Sequence, residues 1–214
     1  ALRQDRKPVI AHSDSAELTI GYTEELEATV QQTAQLLNWF GSVGGRSRNG
    51  WGSFTLEGEG VEGIETLRSD DALLQKISRP LRDCLTKDWP HAVGRDNKAA
   101  LIWKSKKHTS WSDVINTLAE AKIEFRTALT FKKPLGKLED RHILAYPVTH
   151  HSVHGWDRCR LANQIRFKVA KVGSDFLGII HHVPCKLPDA LCKAIAHDQG
   201  DHKKILAEQE KIWR

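Results

Sequence analysis

The sequence contains no methionine, only two tyrosines, and no apolar run near the roughly 18 residues that a membrane-spanning helix needs. The last absence excludes a helical membrane protein, and no membrane partner is expected. The opening residues, Ala-Leu-Arg-Gln-Asp-Arg-Lys, have no apolar core of the kind a secretory leader carries. With no initiator methionine either, the expectation is a piece of a longer polypeptide. The four cysteines, Cys84, Cys159, Cys185 and Cys192, show no C-x-x-C spacing. Nothing in that pattern points to a secreted disulfide scaffold, so a reduced, cytoplasmic setting is expected. No fixed-period repeat and no low-complexity tract is present.

The chain has 214 residues and a mass of 24.1 kDa, enough for one large domain or two small ones. A globular chain of this length buries roughly 70% of its unfolded surface and folds without staples. Hydrophobic residues make up 40% and charged residues 28%, which suits a globular protein and is too apolar for a disordered one. Charge is uneven. Residues 1–75 hold 6 Lys/Arg and 12 Asp/Glu, a net of −6, and the remainder holds 26 against 15, a net of +11, which sum to the overall +5. A basic C-terminal part fits a polyanionic partner or a solvated basic surface.

Residues 16–22 alternate apolar and polar, the pattern of a half-buried strand. Thr23, with Glu24 and Glu25 behind it, suits a helix start, and Leu26, Val30, Thr33, Leu37 and Phe40 recur at helical spacing over 24–40. Gly41 suits the left-handed helix end. Residues 53–56 read as a strand, Ser69, Asp70 and Asp71 open a short helix before Pro80, and residues 86–97 read as loop. Residues 99–104 read as a strand. Ser112 is the expected cap of a second long helix with Trp111, Ile115, Leu118 and Phe125 on one face. Residues 131–158, rich in Lys, His, Gly and Pro, read as a long connection. Residues 164–172 and 176–182 read as a hairpin around Gly173, and 189–196 and 202–213 as C-terminal helices. Their apolar residues Leu191, Ile195, Ile205, Leu206, Ile212 and Trp213 suit packing or docking to a neighbouring subunit. The interleaved elements predict an α+β fold, divided into portions 1–85 and 86–214.

The densest signal is a glycine-rich loop, Gly41-Ser-Val-Gly-Gly-Arg-Ser-Arg-Asn-Gly-Trp-Gly52, with five glycines in twelve residues. Gly45 and Gly50 have the outer spacing of a phosphate-binding P-loop, but Trp51 and Gly52 stand where Lys and Ser/Thr are required. The dinucleotide fingerprint needs a strand before its glycines and a helix after, and here that order is reversed. Glycines permit close backbone approach, successive exposed N–H groups form an anion-binding concavity, and guanidinium forks suit phosphate. Trp51 offers a face for base stacking. Arg46 and Arg48 together with Trp51 point to a nucleic-acid backbone more than to a small nucleotide. The alternative is a structural turn with Trp51 in the core.

This loop, Gly-x-x-Gly-Gly-Arg-Ser-Arg-x-Gly-Trp-Gly-Ser between a helix and a strand, resembles the glycine-rich loop of the RAMP superfamily of CRISPR-associated RNA-binding proteins. Within it, the chain is most similar to the first-subunit family of the Cmr (type III-B) effector complex. Trp111-Ser-Asp-Val-Ile-Asn-Thr-Leu through Phe125-Arg126, Tyr146-Pro147, Arg160-Leu-Ala-Asn-Gln-Ile-Arg-Phe-Lys-Val, His182-Val-Pro and Leu187-Pro188 follow the family's order. Asn163-Gln164 stands where the family carries Ser-Pro, and the family's N-terminal ferredoxin-like domain has no counterpart. The resemblance implies a ferredoxin-like (RRM-like) fold in a subunit that holds guide or target RNA, alongside other effector subunits, without reading its sequence. It assigns RNA contacts to Gly44, Gly45, Arg46, Ser47, Arg48, Asn49, Gly50, Trp51 and Gly52, with Arg160 as a second phosphate contact. Lys104, Lys106, Lys107, Lys132 and Lys133 would form a diffuse basic surface.

Eleven histidines cluster in places. His150, His151 and His154, with Arg158, have the residue types for general acid–base cleavage of RNA, as in the endoribonucleases of the same superfamily. His181, His182 and Cys185 have zinc-ligand character, although no C-x-x-C accompanies them. Without such a pairing no cofactor is required by the sequence.

Overall fold

In a computed structural model, residues 14–68 and 71–193 are described. They form an α+β structure. A short 3-10 turn, Glu24–Leu26, leads into α1 (Glu27–Phe40), and a second 3-10 turn covers Ile64–Thr66. There follow α2 (Ala72–Ile77), β1 (Ser78–Pro80), α3 (Leu81–Cys84), β2 (Val93–Arg95), β3 (Ile102–His108), α4 (Trp111–Ala128), α5 (Asp140–Leu144), β4 (Ile165–Val172) and β5 (Asp175–His182). Residues 189–193 are helical, and the predicted helices beyond them lie outside the described residues. Among the described residues no helix is long and apolar enough to cross a membrane.

The centre is a three-stranded sheet in the order β3-β5-β4, with β5 antiparallel to both neighbours. The hairpin forms where the alternation predicted it. Val172 pairs with Asp175, and Gly173 takes a φ of 62° in the two-residue turn, a conformation glycine adopts without a Cβ penalty. β1 and β2 pair separately in parallel.

Successive strand residues face opposite sides. Phe167 and Val169 of β4 meet Val114 and Leu118 of α4. Ala170, Leu177 and Ile179 meet Trp39, Ile64, Leu67 and Leu74. The sheet is therefore covered on both faces, and this second core joins residues on either side of the 85/86 division. α4 lies close to β5 because Gly178 has no side chain: a Cβ there would stand 2.9 Å from Leu118 Cδ2 and 3.1 Å from Val114 Cγ1. The cap of α4 is Ser110, whose hydroxyl accepts from the Asp113 N–H at 3.1 Å, and Ser112 falls inside the first turn.

Four further expectations are corrected. Residues 16–22 form no strand, and Leu18, Ile20 and Tyr22 are exposed. The buried face of α1 is Gln35, Asn38 and Trp39, whereas Leu26 and Leu37 are exposed. The reason is polar: Gln35 and Asn38 both donate to the Glu62 carbonyl at 2.9 Å, and the Glu62 N–H donates back to Gln35 Oε1 at 2.6 Å. The same clamp removes the predicted strand at 53–56, because the Leu56 N–H donates to Asn38 Oδ1 at 2.8 Å rather than to a neighbouring strand. Gly41 ends α1 in an extended conformation (φ −71°, ψ 146°), not a left-handed one.

Residues 131–158 are more than a connection. They carry α5 and much of a third core, in which Leu138, Ile143, Tyr146, Val153 and Trp156 pack with Leu161, Leu187 and Leu191. Trp156 is fully buried and donates its indole N–H to the Leu191 carbonyl at 3.0 Å. Its apolar residues are spaced irregularly, so no helix or strand period announces them.

Candidate nucleic-acid interface

The glycine-rich loop is sewn to the outer edge of β4. The Phe167 N–H donates to the Arg48 carbonyl at 3.1 Å, and the Val169 N–H donates to Ser53 Oγ at 3.0 Å. These bonds satisfy alternate N–H groups of a strand edge that would otherwise be open. Within the loop, Val43 N–H donates to the Gly52 carbonyl, Asn49 N–H to the Arg46 carbonyl, and Ser42 Oγ to the Ser47 carbonyl, at 2.9, 2.9 and 3.1 Å.

The glycines divide by position. Gly44 and Gly45 at the tip have open space where a Cβ would stand, with Gly44 at φ 82°. Gly50 and Gly52, at the base, serve the fold. At Gly50 (φ 87°) a Cβ would meet Ile115 Cδ1 at 3.1 Å, and at Gly52 (φ 71°) it would collide with the Val43 carbonyl. Arg46 lies in left-handed conformation (φ 60°). Arg46 and Arg48 are exposed and Ser47 is half-buried. Trp51 is 45% exposed, which overturns the alternative that placed it in the core. It meets Trp111 in an edge-to-face contact.

The loop is flanked by cations that the sequence did not single out. Arg166 is half-buried. Burial first, and then the charge of Arg48 beside it, hold its guanidinium below the ordinary range. On the other side Lys122 donates to Asn49 Oδ1 at 2.7 Å. Burial, then the charge of Arg126, depress its ammonium. Lys122 and Arg126 are four residues apart on α4, one helical turn, but that spacing carries no hint that their face turns toward the loop.

The remaining predicted residues lie elsewhere. Arg160 is exposed and donates to the Cys159 carbonyl at 2.9 Å, with no hydrogen bond to the loop. Lys104 is exposed, and its ammonium donates to the Ile64 and Leu67 carbonyls at 3.0 and 2.6 Å. Lys133 likewise donates to the Leu138 carbonyl at 3.0 Å. His150 and His154 are exposed, and His151 stacks flat on Phe131 with ring centroids 3.6 Å apart. Among the described residues no hydrogen bond or ring contact joins these three imidazoles. His181 and His182 are buried on opposite faces of β5, and burial depresses both imidazoles to about 3. Burial pushes the Cys185 thiol up to about 11. Among the described residues no three His, Cys, Asp or Glu side chains converge on a common metal position, so His181, His182 and Cys185 form no such group.

No protein-family model, curated protein or solved structure matches the chain. What the interface can do follows from its own chemistry: exposed guanidiniums, an open backbone tip and a half-free indole on one edge of a rigid sheet.

Proposed function

We propose that the protein is an RNA-binding subunit of a type III CRISPR ribonucleoprotein effector, holding guide or target RNA through the glycine-rich loop. The observation that carries this reading is the exposure of Arg46, Arg48 and Trp51 together on one loop whose tip backbone is unobstructed. Arginine forks bond phosphate and an exposed indole stacks a base of any identity, so the contact holds RNA without reading it. The loop motif's resemblance to RAMP proteins supplies the RNA and the effector complex. Support for a ferredoxin-like core comes from the order β3-α4-α5-β4-β5 with β5 between the other two strands, the strand order of a split β-α-β arrangement. In that reading the sheet faces are packed and the RNA runs across the loop edge. The protein would work in the cytoplasm beside other effector subunits.

Two measurements test it. Single-stranded RNA binding as a function of salt should weaken in Arg46→Ala/Arg48→Ala, with the log–log slope shallower by about 2; wild-type affinity in that variant would remove the loop from the interface. RNA co-purifying with the protein from its host should consist of short species sharing one constant repeat-derived end. Random cellular fragments would reduce the effector assignment to a general RNA-binding fold.

A further inference from the structure

Behind the loop, a cavity of about 200 Å³ opens between the later turns of α4, α5 and the start of β4, and Asn49 forms part of its wall. Three cations line it: Lys122, Arg126 and Arg141. Among the described residues no carboxylate forms an ion pair with any of them. The acids on the same elements, Asp113, Glu120, Glu124 and Asp140, are exposed. Lys122 is held by Asn49, and the Arg141 guanidinium lies 5.3 Å from the Phe131 ring centroid. Burial, then the charge of Arg126, depress both Lys122 and Arg141, so the charge of Arg126 reaches both. Leu144, Ile165 and Phe167 give the lining an apolar part, and Phe125, which also lines it, is exposed.

Like charges gathered in a partly desolvated space repel one another, and an anion relieves that repulsion. The volume sets the size of the anion. It exceeds the space of several waters at roughly 30 Å³ each, and lies below the roughly 300 Å³ at which pockets begin to enclose a whole drug-sized ligand. A phosphate with its attached sugar fits those limits. Charge narrows the choice further: a phosphate monoester carries about −1.5 to −2 at neutral pH, against −1 for an internal diester. Three unneutralised cations match the monoester better.

We propose that this cavity receives the terminal phosphate monoester of an RNA strand whose adjoining nucleotides lie along the glycine-rich loop. Lys122, Arg126 and Arg141 grip the phosphate, and Phe125 packs against the terminal sugar or base. Asn49 joins the two regions, because its side chain holds Lys122 while its backbone belongs to the loop. This inference rests on the RNA-binding reading above and adds polarity to it: the protein would hold an end, not only a length, of RNA.

The test compares affinities of the intact chain for one short oligouridine carrying a 5′-phosphate, a 3′-phosphate, or hydroxyls at both ends. One phosphate-ended form should bind about tenfold or more tightly than the hydroxyl-ended form, in line with charge-assisted hydrogen bonds to a phosphate. In Arg126→Gln/Arg141→Gln that ratio should collapse to about one, with folding checked by thermal melting. Arg126→Gln alone, at a half-buried position, should give an intermediate ratio. Arg46→Ala/Arg48→Ala should weaken all three oligonucleotides and keep the ratio. Equal wild-type binding of all three would overturn the terminal-phosphate site and leave the RNA-binding reading standing. A double variant that weakens phosphate- and hydroxyl-ended forms by the same factor would assign the cavity to an internal phosphate and overturn the proposal. Binding of none would overturn both readings.

Discussion

Trp51 meets Trp111 edge to face, with ring centroids 5.0 Å apart and planes inclined by 70°. Trp111 is the first residue of α4, and it packs against the α4–β4 core. The contact therefore ties the loop's one aromatic to α4, while Trp51 stays 45% exposed. Trp51→Ala should lower single-stranded RNA affinity by about 1–3 kcal/mol, the usual worth of one stacked base. Because Trp51 is 45% exposed, the same change should cost less stability than Trp111→Ala. RNA-induced quenching of tryptophan fluorescence, followed in both variants, checks the division. Quenching that survives in Trp51→Ala and vanishes in Trp111→Ala would place the stacking on the wrong ring.

The loop glycines should respond to alanine according to position. Gly50→Ala places a Cβ at a φ of 87° and 3.1 Å from Ile115 Cδ1, which should destabilise the fold by about 1–3 kcal/mol. Gly45→Ala meets open space at an ordinary backbone angle and should leave the denaturation midpoint within about 0.5 kcal/mol of wild type. Urea denaturation of the two variants reads the contrast directly.

Lys168 predicts a pH dependence. Its side chain is buried on β4, and its amine donates to the Leu37 and Asn38 carbonyls at the end of α1, at 3.2 and 2.5 Å. Burial pushes the ammonium from 10.5 down to about 7, and a neutral amine still has two N–H groups for the two carbonyls. Above pH 7 the unfolded chain keeps a proton that the folded chain has released, so stability rises with pH through this group. Beyond pH 9 the trend is opposed. Cys84, Cys185 and Cys192 are raised by burial from 9.0 to about 11, so the unfolded thiols ionise first. Stability should therefore rise from pH 7 toward pH 9 and then level or fall. Lys168→Met should flatten the rising limb, and an unchanged limb in that variant would show that Lys168 does not cause it.

The acid side follows the same rule with different groups. His181 and His182 ionise near 3 in the folded chain and near 6.5 when unfolded. Their contribution is fully present above pH 6.5 and is lost as pH falls from there toward 3. His181→Phe removes one of the two and also keeps a ring beside Phe40, whose centroid lies 5.0 Å away. Chemical denaturation between pH 6.5 and 4 should show a shallower decline in that variant than in wild type.

The elements read correctly from the chain are those whose cause is local. Asp71 caps α2 by accepting from the Leu73 and Leu74 N–H groups, as a short acid before an apolar run predicts. The β4–β5 hairpin follows from alternation around Gly173, and Trp111, Ile115 and Leu118 of α4 do pack together against the sheet. The misread elements are those where a distant partner intervened. Residues 16–22 alternate like a strand but pair with no strand among the described residues, and α1 turned its polar side inward because Glu62 was there to receive it.

The candidate site divides along the same line. From the chain alone came the loop, its arginines and its tryptophan, because they are neighbours in the backbone and their residue types declare phosphate and base chemistry. Tertiary structure decided which loop glycines serve the fold, that Trp51 faces solvent, and that Lys122, Arg126 and Arg141 share one cavity with Asn49. Arg126 and Arg141 are brought together by the packing of α4 on the sheet, close at Gly178, and by the seating of α5 through Ile143 in the third core. Periodicity describes one element at a time. Convergence of charge depends on how two elements meet, and that is set by side-chain volumes far from the charges themselves.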